Sequence, residues 1–177
     1  MKTVFLAKPS IEYQNEYLTF YEEWKSSGES IVPWVVSRDP SDFEGMLQFL
    51  FENENREYIP ENWVPSSTYW LVSDDKRVIG AVNIRHDLTE HLLNCGGHIG
   101  YGIRPSERQK GYATKLLAMA LEITKELGIK KVLVVCDEDN IGSEKTILNN
   151  GGIPDTSFTE ENGNVVKRWW IENASNL

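Results

Sequence analysis

The chain has 177 residues, of which 40% are hydrophobic and 11% aromatic, and this composition is typical of a folded domain rather than a disordered chain. Its formal net charge is −9, and residues 1–66 carry 12 acidic against five basic side chains, so we expect no nucleic-acid partner. The sequence shows no apolar run near the roughly 18 residues of a membrane span, no apolar leader and no CxxC pair. We therefore expect a cytoplasmic protein with reduced cysteines, no metal and no membrane partner.

The N-terminal third predicts one strand and two helices. Residues 2–7 form a short apolar run of the kind found in strands, and apolar residues then recur at helical spacing from Ile11 to about Gly28. Ser41 is followed three residues later by Glu44, a capping box that predicts the start of the second helix at Ser41.

Strands and helices alternate through the rest of the chain. The predicted strands are 68–75, 77–86, 98–105, 130–139 and 165–173, the predicted helices are 113–127 and 143–150, and the segment 87–97 is ambiguous between loop and helical turn. A strand–helix–strand–helix centre between antiparallel hairpins predicts a mixed sheet flanked by helices. With no repeat and no linker, residues 1–177 are predicted to form one domain.

The stretch "RQKGYAT" at residues 108–114 joins a predicted strand to the longest predicted helix. The first four amides of a helix have no internal acceptor and carry the positive end of the helix dipole, so this position suits an anion such as a phosphate. Gly111 would let the anion approach the backbone, and Arg108 and Lys110 would add charge. A plain turn with solvated basic side chains is the alternative. The spacing of Walker A and dinucleotide-binding glycines is absent.

The segment "IGYGIRPSERQKGYATKLL" resembles the acetyl-CoA-binding motif of the GNAT N-acetyltransferase superfamily: Gln or Arg, two residues, Gly, one residue, then Gly or Ala. A second motif of that family is matched by Asn140, Ser143 and Gly151, and the resemblance covers about residues 68–171. It implies an α/β (α+β) fold with a mixed, mostly antiparallel central sheet of about seven strands and about four helices. It also implies acetyl-CoA as cosubstrate and an amine as acceptor.

The resemblance also implies roles for individual residues. The main-chain amides of the turn would hold the CoA pyrophosphate, the backbone of Ile103 would pair with the pantetheine arm, and Asn140 and Ser143 would contact the pantetheine or the phosphates. The alternatives are an Asx turn for Asn140 and a helix N-cap for Ser143. The cofactor-binding turn comprises Arg108, Gln109, Lys110, Gly111, Tyr112, Ala113 and Thr114.

Two catalytic positions depart from the pattern of the family. Where many relatives carry a Glu on the fourth strand, this chain has His98, which is our candidate general base; a hydrogen-bonded sheet residue is the alternative. Where many relatives carry a Tyr that protonates the leaving thiolate, this chain has Ile147. Ser143, a water or a residue that the sequence does not identify would then protonate the thiolate, or backbone amides would stabilise it. Cys136 is interpreted as a small buried residue.

The sequence gives the least information about the residues that bind the acceptor. Arg85, His86 and His91 lie near a predicted strand end and are candidates to bind an acceptor carboxylate or hydroxyl, with a solvated loop as the alternative. Trp34 and Trp63 belong either to the core or to the cleft wall. The predicted function is acetyl transfer to a primary amine of a small molecule or peptide; the alternatives are a CoA-binding module without activity and a protein N-terminal or lysine acetyltransferase. A homodimer is left open.

Overall fold

The computed structural model describes residues 1–174, in which seven strands form two antiparallel sheets that lie side by side. The first sheet has the order β1-β2-β3-β4, with β1 at Val4–Ala7, β2 at Ser66–Ser73, β3 at Val78–Arg85 and β4 at Ile99–Ile103. The second has the order β5-β7-β6, with β5 at Lys131–Asp137, β6 at Ile153–Thr159 and β7 at Val165–Glu172. The mostly antiparallel mixed fold predicted from the sequence is confirmed.

Four α-helices cover the two faces of these sheets: α1 at Gln14–Ser27, α2 at Phe43–Glu52, α3 at Tyr112–Glu126 and α4 at Ile141–Asn149. The apolar face of α3 packs with α4 against both sheets, and its Leu116, Leu117 and Ala120 are fully buried. On the opposite face α1 and α2 enclose a second cluster, in which Tyr17 stacks on Trp70 at a ring-centroid distance of 4.3 Å.

The two sheets are joined at one end only. The His98 amide donates to the Leu133 carbonyl at 2.8 Å, and the Leu133 amide donates to the ring Nδ1 of His98 at 2.9 Å. Gly97 permits this approach, because a Cβ there would lie 2.7 Å from the Leu133 carbonyl oxygen and its φ is +68°. Within residues 1–174 no further hydrogen bond pairs the backbone of β4 with that of β5. The strands thus leave a gap beyond His98.

Gly102 allows the chain around Val32 to pack closely against β4 on the side of α1. A Cβ at Gly102 would lie 2.3 Å from both the Trp24 ring and the Val32 carbonyl oxygen, so only glycine lets the chain around Val32 rest against β4. The neighbouring Pro33 and Trp34 are thereby held over the strand next to Gly100.

Two local predictions differ from the structure, and one ambiguity is resolved by it. Helix α2 is capped by Asp42, whose Oδ1 accepts from the Gly45 amide at 3.1 Å, so the predicted cap at Ser41 is wrong by one residue. The ambiguous segment contains a π-helix at Leu92–Gly96. Strand β6 was missed because it is an edge strand with exposed side chains and a proline, so it lacks the alternation that identifies a strand. None of the helices in the described part of the chain is long and apolar enough to cross a membrane.

Candidate active site

The turn before α3 presents a row of free backbone donors. Gln109 and Gly111 have φ of +60° and +86°, a pair of left-handed residues that turns successive amides toward the same side. The amides of residues 109–114 donate to no acceptor among residues 1–174. They stand at the N-terminus of a 15-residue helix, where the dipole favours an anion. This geometry can hold a diphosphate through the backbone.

The basic side chains of the turn point elsewhere. The Arg108 guanidinium lies over the Trp24 ring at 5.0 Å and donates to the Ile103 carbonyl at 3.1 Å and to the Glu29 carboxylate at 2.6 Å. Lys110 pairs with Glu107 at 2.9 Å. The amides, more than these two side chains, are therefore available to an anion.

The hydrogen bond from Arg108 to the Ile103 carbonyl affects which main-chain groups of Ile103 are free. The Arg104 amide donates to β3, at the Ile79 carbonyl, so the main-chain groups of Ile103 point to the opposite side, toward the gap. The Ile103 carbonyl already accepts one hydrogen bond from Arg108, whereas the Ile103 amide has no acceptor among residues 1–174 and is free for the predicted pairing with pantetheine. Tyr101 and Ile99 present their main-chain groups along the same edge.

Asn140 and Ser143 lie at the start of α4, opposite this edge. The side-chain Oδ1 of Asn140 accepts from the Ser143 amide at 3.1 Å, so Asn140 is the N-cap, and the N-cap reading of Ser143 is wrong. The Ser143 hydroxyl instead lies 2.6 Å from the Tyr101 hydroxyl. This hydrogen bond links α4 to β4 across the gap.

Tyr101 is one of the site residues that sequence reasoning missed, together with Asp137, Glu160 and Asn164. Its phenol lines the cavity, and burial raises its pKa to about 12, so it carries its proton throughout the neutral range. The position expected to hold a tyrosine, Ile147, is fully buried in the apolar cluster against which Tyr101 packs. Only the pairing of β4 with the start of α4 brings the Tyr101 hydroxyl here, and no spacing rule in the sequence indicates it.

A cavity of about 440 Å³ opens beside this hydroxyl, on the gap between β4 and β5. One wall is Pro33 and Trp34, and the Trp34 ring packs edge to face on Trp63 at 5.5 Å. Both indoles are 39% exposed, so the structure places Trp34 in the cavity wall with Trp63 behind it, and neither in the core. Cys136 is also in the wall, buried, with the pKa of its thiol raised by burial to about 11.

Charged groups of both signs line the cavity. The Arg85 guanidinium donates through Nη1 to the Gly96 and Gly97 carbonyls at 3.0 and 3.1 Å, and burial lowers its pKa. The side-chain Nδ2 of Asn164 donates to the carboxylates of both Asp137 and Glu160, at 2.8 and 3.2 Å, and these two residues also line the cavity. An acceptor entering here meets one cation and two anions.

The other acceptor candidates lie outside the cavity lining. His86 is half-buried, its Nε2 is 2.7 Å from the Ser67 hydroxyl, and burial lowers its pKa. The exposed His91 touches Cys95 at 3.5 Å, and only Cys95 of that pair reaches the cavity. Of the predicted acceptor-binding residues, the structure brings Arg85 to the site.

His98 is held between the sheets. It is 6% exposed, and its pKa is lowered to about 4, first by burial and then by the positive charge of Arg85. Because Nδ1 accepts from the Leu133 amide, the neutral ring carries its hydrogen on Nε2 and has no lone pair left for a substrate proton. The geometry favours the alternative of a hydrogen-bonded sheet residue, and the role of His98 as a base stays a prediction.

The model of the acetyltransferase (GNAT) domain matches residues 5–153. The chain belongs to the GNAT acetyltransferase family. This confirms the resemblance seen in the two motifs and identifies the protein as an acyltransferase of the acetyl-CoA-dependent class. A comparison with curated proteins finds no significant match.

Solved GNAT structures share the fold at low identity. The microcin C7 self-immunity acetyltransferase in complex with acetyl-CoA and AMP superposes with a TM-score of 0.67 at 17% identity, over 96% of this chain and 92% of that one. An acetyltransferase from Salmonella typhimurium that modifies the N-terminal serine of a 50S ribosomal subunit protein has a TM-score of 0.69 at 13% identity, over 98% and 97%. A chimeric spermidine N-acetyltransferase from Vibrio cholerae has a TM-score of 0.65 at 15% identity, over 96% and 95%.

Among residues 1–174 there is no group of three or more His, Cys, Asp or Glu side chains arranged to hold a metal ion.

Proposed function

We propose that this GNAT protein moves an acetyl group directly from acetyl-CoA to the primary amine of a small acceptor. The observation that carries the proposal is the row of free amides at residues 109–114 beside a gap between β4 and β5. The amides suit the CoA pyrophosphate, and the free edge of β4 at Ile103 and Tyr101 suits the pantetheine arm in the manner of an added strand. The acyl carbon would then lie where the gap opens into the cavity.

Acetyl-CoA supplies an activated thioester, so the protein has to position the amine, polarise the carbonyl and stabilise the departing sulfur. The cavity admits the amine from the side of Trp34 and Arg85. The unpaired main-chain amides on the edge of β4 are available to the carbonyl oxygen as negative charge develops on it.

We propose that Tyr101 donates a hydrogen bond to the departing sulfur. Its pKa of about 12 exceeds the value of about 8.5 typical of a thiol, so the phenol stabilises the thiolate as a donor without giving up its proton. Ser143 holds the phenolic oxygen at 2.6 Å and keeps its position. Tyr101 would thus supply, from the strand, the hydroxyl that Ile147 cannot.

His98 is proposed as the residue that keeps the sheets joined at one end and separate beyond it. Its ring replaces a backbone acceptor for Leu133, and the gap begins at the next strand residue. The described residues that line the cavity include Asp137 and Glu160 but no histidine, so the amine is proposed to lose its proton to one of these two carboxylates or to water, or to reach the site already neutral. A cytoplasmic location and a single domain over residues 1–177 also stay predictions.

A turnover assay distinguishes the proposed enzyme from the alternative, a CoA-binding module without activity. Thiol release from acetyl-CoA is measured against a panel of amino acids, diamines, polyamines and peptides, with the product mass confirming the acetylated group. Release with at least one amine supports the proposed enzyme. CoA binding without release for any member would favour the module.

Replacing Tyr101 by Phe is expected to lower kcat about 10- to 100-fold while changing the Kd of CoA less than threefold, because one transition-state hydrogen bond is removed and the ring is kept. Tyr58, which is 62% exposed, provides the control: Tyr58→Phe is expected to match the wild type. A kcat of Tyr101→Phe equal to that of the wild type would contradict the assignment.

A further inference from the structure

The Arg85 guanidinium is a partly buried charge with an unused donor face. Nη1 is held by two glycine carbonyls, but neither Nη2 nor Nε has a hydrogen-bond partner among residues 1–174. Within 4.0 Å of the group no carboxylate of the described chain is found, although buried Arg104 and half-buried Arg108 both have one. Arg85 lines the cavity, and its free Nη2 lies beside Gly100, which lines the cavity as well.

The unpaired charge of Arg85 indicates that the cavity binds an anionic ligand group. A desolvated guanidinium is costly unless an anion compensates it, and burial lowers the pKa of Arg85 accordingly. The protein carries nine more negative than positive charges, so acidic side chains are plentiful, yet none is placed on this group. A planar fork with free donors matches the two oxygens of a carboxylate.

Another part of the cavity wall can bind a positively charged group. Asp137 at the end of β5 and Glu160 after β6 converge on the Asn164 amide, which orients both carboxylates. These anions suit an ammonium group. One cavity therefore presents a cation-binding and an anion-binding element together.

From this arrangement we propose that the acceptor is a free α-amino acid, bound through its carboxylate by Arg85, with its amine directed toward the gap. This inference rests on the proposed acetyltransferase function and narrows its substrate class. Arg85 would be a substrate-binding residue, and the Asp137 and Glu160 carboxylates would attract the ammonium group before transfer.

The position of Arg85 limits how far the carboxylate can lie from the amine. Its Nη2 would be 3.3 Å from a Cβ at Gly100, the residue of β4 between Ile99 and Tyr101, which border the gap. Neighbouring strand residues are about 3.3 Å apart, so the guanidinium stands close to the reacting edge. A guanidinium this close to the edge suits a carboxylate one carbon from the amine better than the remote C-terminus of a peptide, and a polyamine would bring a second cation against Arg85.

The test compares each common L-amino acid with its own amide, which keeps the amine and side chain but removes the negative charge. For the wild type we expect kcat/KM to be at least about 100-fold higher for the best acid than for its amide, because a site built for a carboxylate leaves a buried charge unpaired with the amide. In Arg85→Gln that ratio is expected to fall to within a fewfold of one. In Arg85→Lys, which keeps the charge and loses the fork, the ratio is expected to be intermediate.

Arg38 gives the matched control. It is an exposed arginine stacked on Phe49 at 4.3 Å and is not part of the cavity lining, so Arg38→Gln removes the same charge and should keep the ratio. Melting temperature and CoA affinity are measured for each variant, so that a loss of folding is recognised. A collapse of the ratio in Arg85→Gln with CoA affinity retained supports the inference.

Two results would overturn it separately from the proposed function. If amides or polyamines are acetylated as well as the acids, or if Arg85→Gln slows acids and amides equally, the enzyme stands and the amino-acid assignment fails. If no amine releases thiol, the proposed function fails. The assignment is then judged by calorimetric binding of amino acids to the CoA-loaded protein: binding weakened at least about 10-fold by Arg85→Gln supports it, and no binding refutes it.

Discussion

Replacing Gly111 by valine is expected to raise the Kd of CoA about 100-fold, whereas replacing Lys110 by alanine should raise it less than threefold. Gly111 has a φ of +86°, which costs a residue with a Cβ about 1–2 kcal/mol, and relief of that strain would turn the amides of the loop away from their common direction. Losing one or two charge-assisted hydrogen bonds to the pyrophosphate accounts for the rest. Lys110 is already paired with Glu107.

The measurement is calorimetric titration of CoA into the two variants and the wild type. Folding of Gly111→Val should be retained: apart from the adjoining residues, the only heavy atom of the described chain within 4 Å of a Cβ there is the end of the flexible Met1 side chain, at 3.3 Å. Gly111→Ala is expected to lie between the extremes. If Lys110→Ala weakened CoA binding more than Gly111→Val, side-chain charge would be the main determinant and the backbone account would be wrong.

The second large effect concerns His98 and acid stability. The pKa of this histidine is lowered from 6.5 to about 4 in the folded protein, so below pH 6.5 the unfolded chain takes up a proton that the folded chain excludes. Stability contributed by the neutral ring is therefore complete above pH 6.5 and is lost as the pH falls toward 4. The loss amounts to about 3 kcal/mol of unfolding free energy.

Two variants separate the parts of this effect. In His98→Asn the amide oxygen can still accept from Leu133 but does not titrate, so the unfolding free energy should fall less steeply between pH 6.5 and 4 than in the wild type. In His98→Ala the Leu133 amide loses its partner, which should cost about 1–3 kcal/mol at pH 7. Urea unfolding across this pH range gives the free energies for all three proteins.

The same variants decide between the two roles of His98. A positioning residue predicts that His98→Asn keeps kcat within a fewfold and keeps the shape of the pH–rate profile. If His98 is the general base, both variants should lose most of kcat, and the ionisation of His98 should disappear from the pH–rate profile. An Asn variant that is stable but inactive would restore the base assignment.

The shape of the turn that is proposed to bind the cofactor could be predicted because local chain geometry determines it. Gly111 before a helical apolar pattern places free amides at a helix N-terminus, and a cap near Asn140 and Ser143 was expected, although the structure makes Asn140 and not Ser143 the N-cap. These features depend on residues within one turn of each other. The unpredicted strand β6 depends instead on its neighbour β7, since its own exposed side chains carry no pattern.

The catalytic half required contacts between residues far apart in the chain. The Tyr101 hydroxyl meets Ser143 only because β4 lies under the start of α4. The ring of His98 takes the place of a backbone acceptor only because the chain reaches Leu133 from another sheet. Neither partner can be inferred from spacing.

By itself, the sequence determined the order of the main helices and strands, the turn at residues 108–114 that is proposed to bind an anion, and the family, since periodicity, glycines and caps act over a few residues. The tertiary structure decided which polar side chains share the cavity: it brought Arg85 to the acceptor side, set His86 apart, and placed Tyr101 in the gap. The physical reason is that a side chain's burial and charge environment are set by the elements packed around it, and sequence spacing carries no record of them.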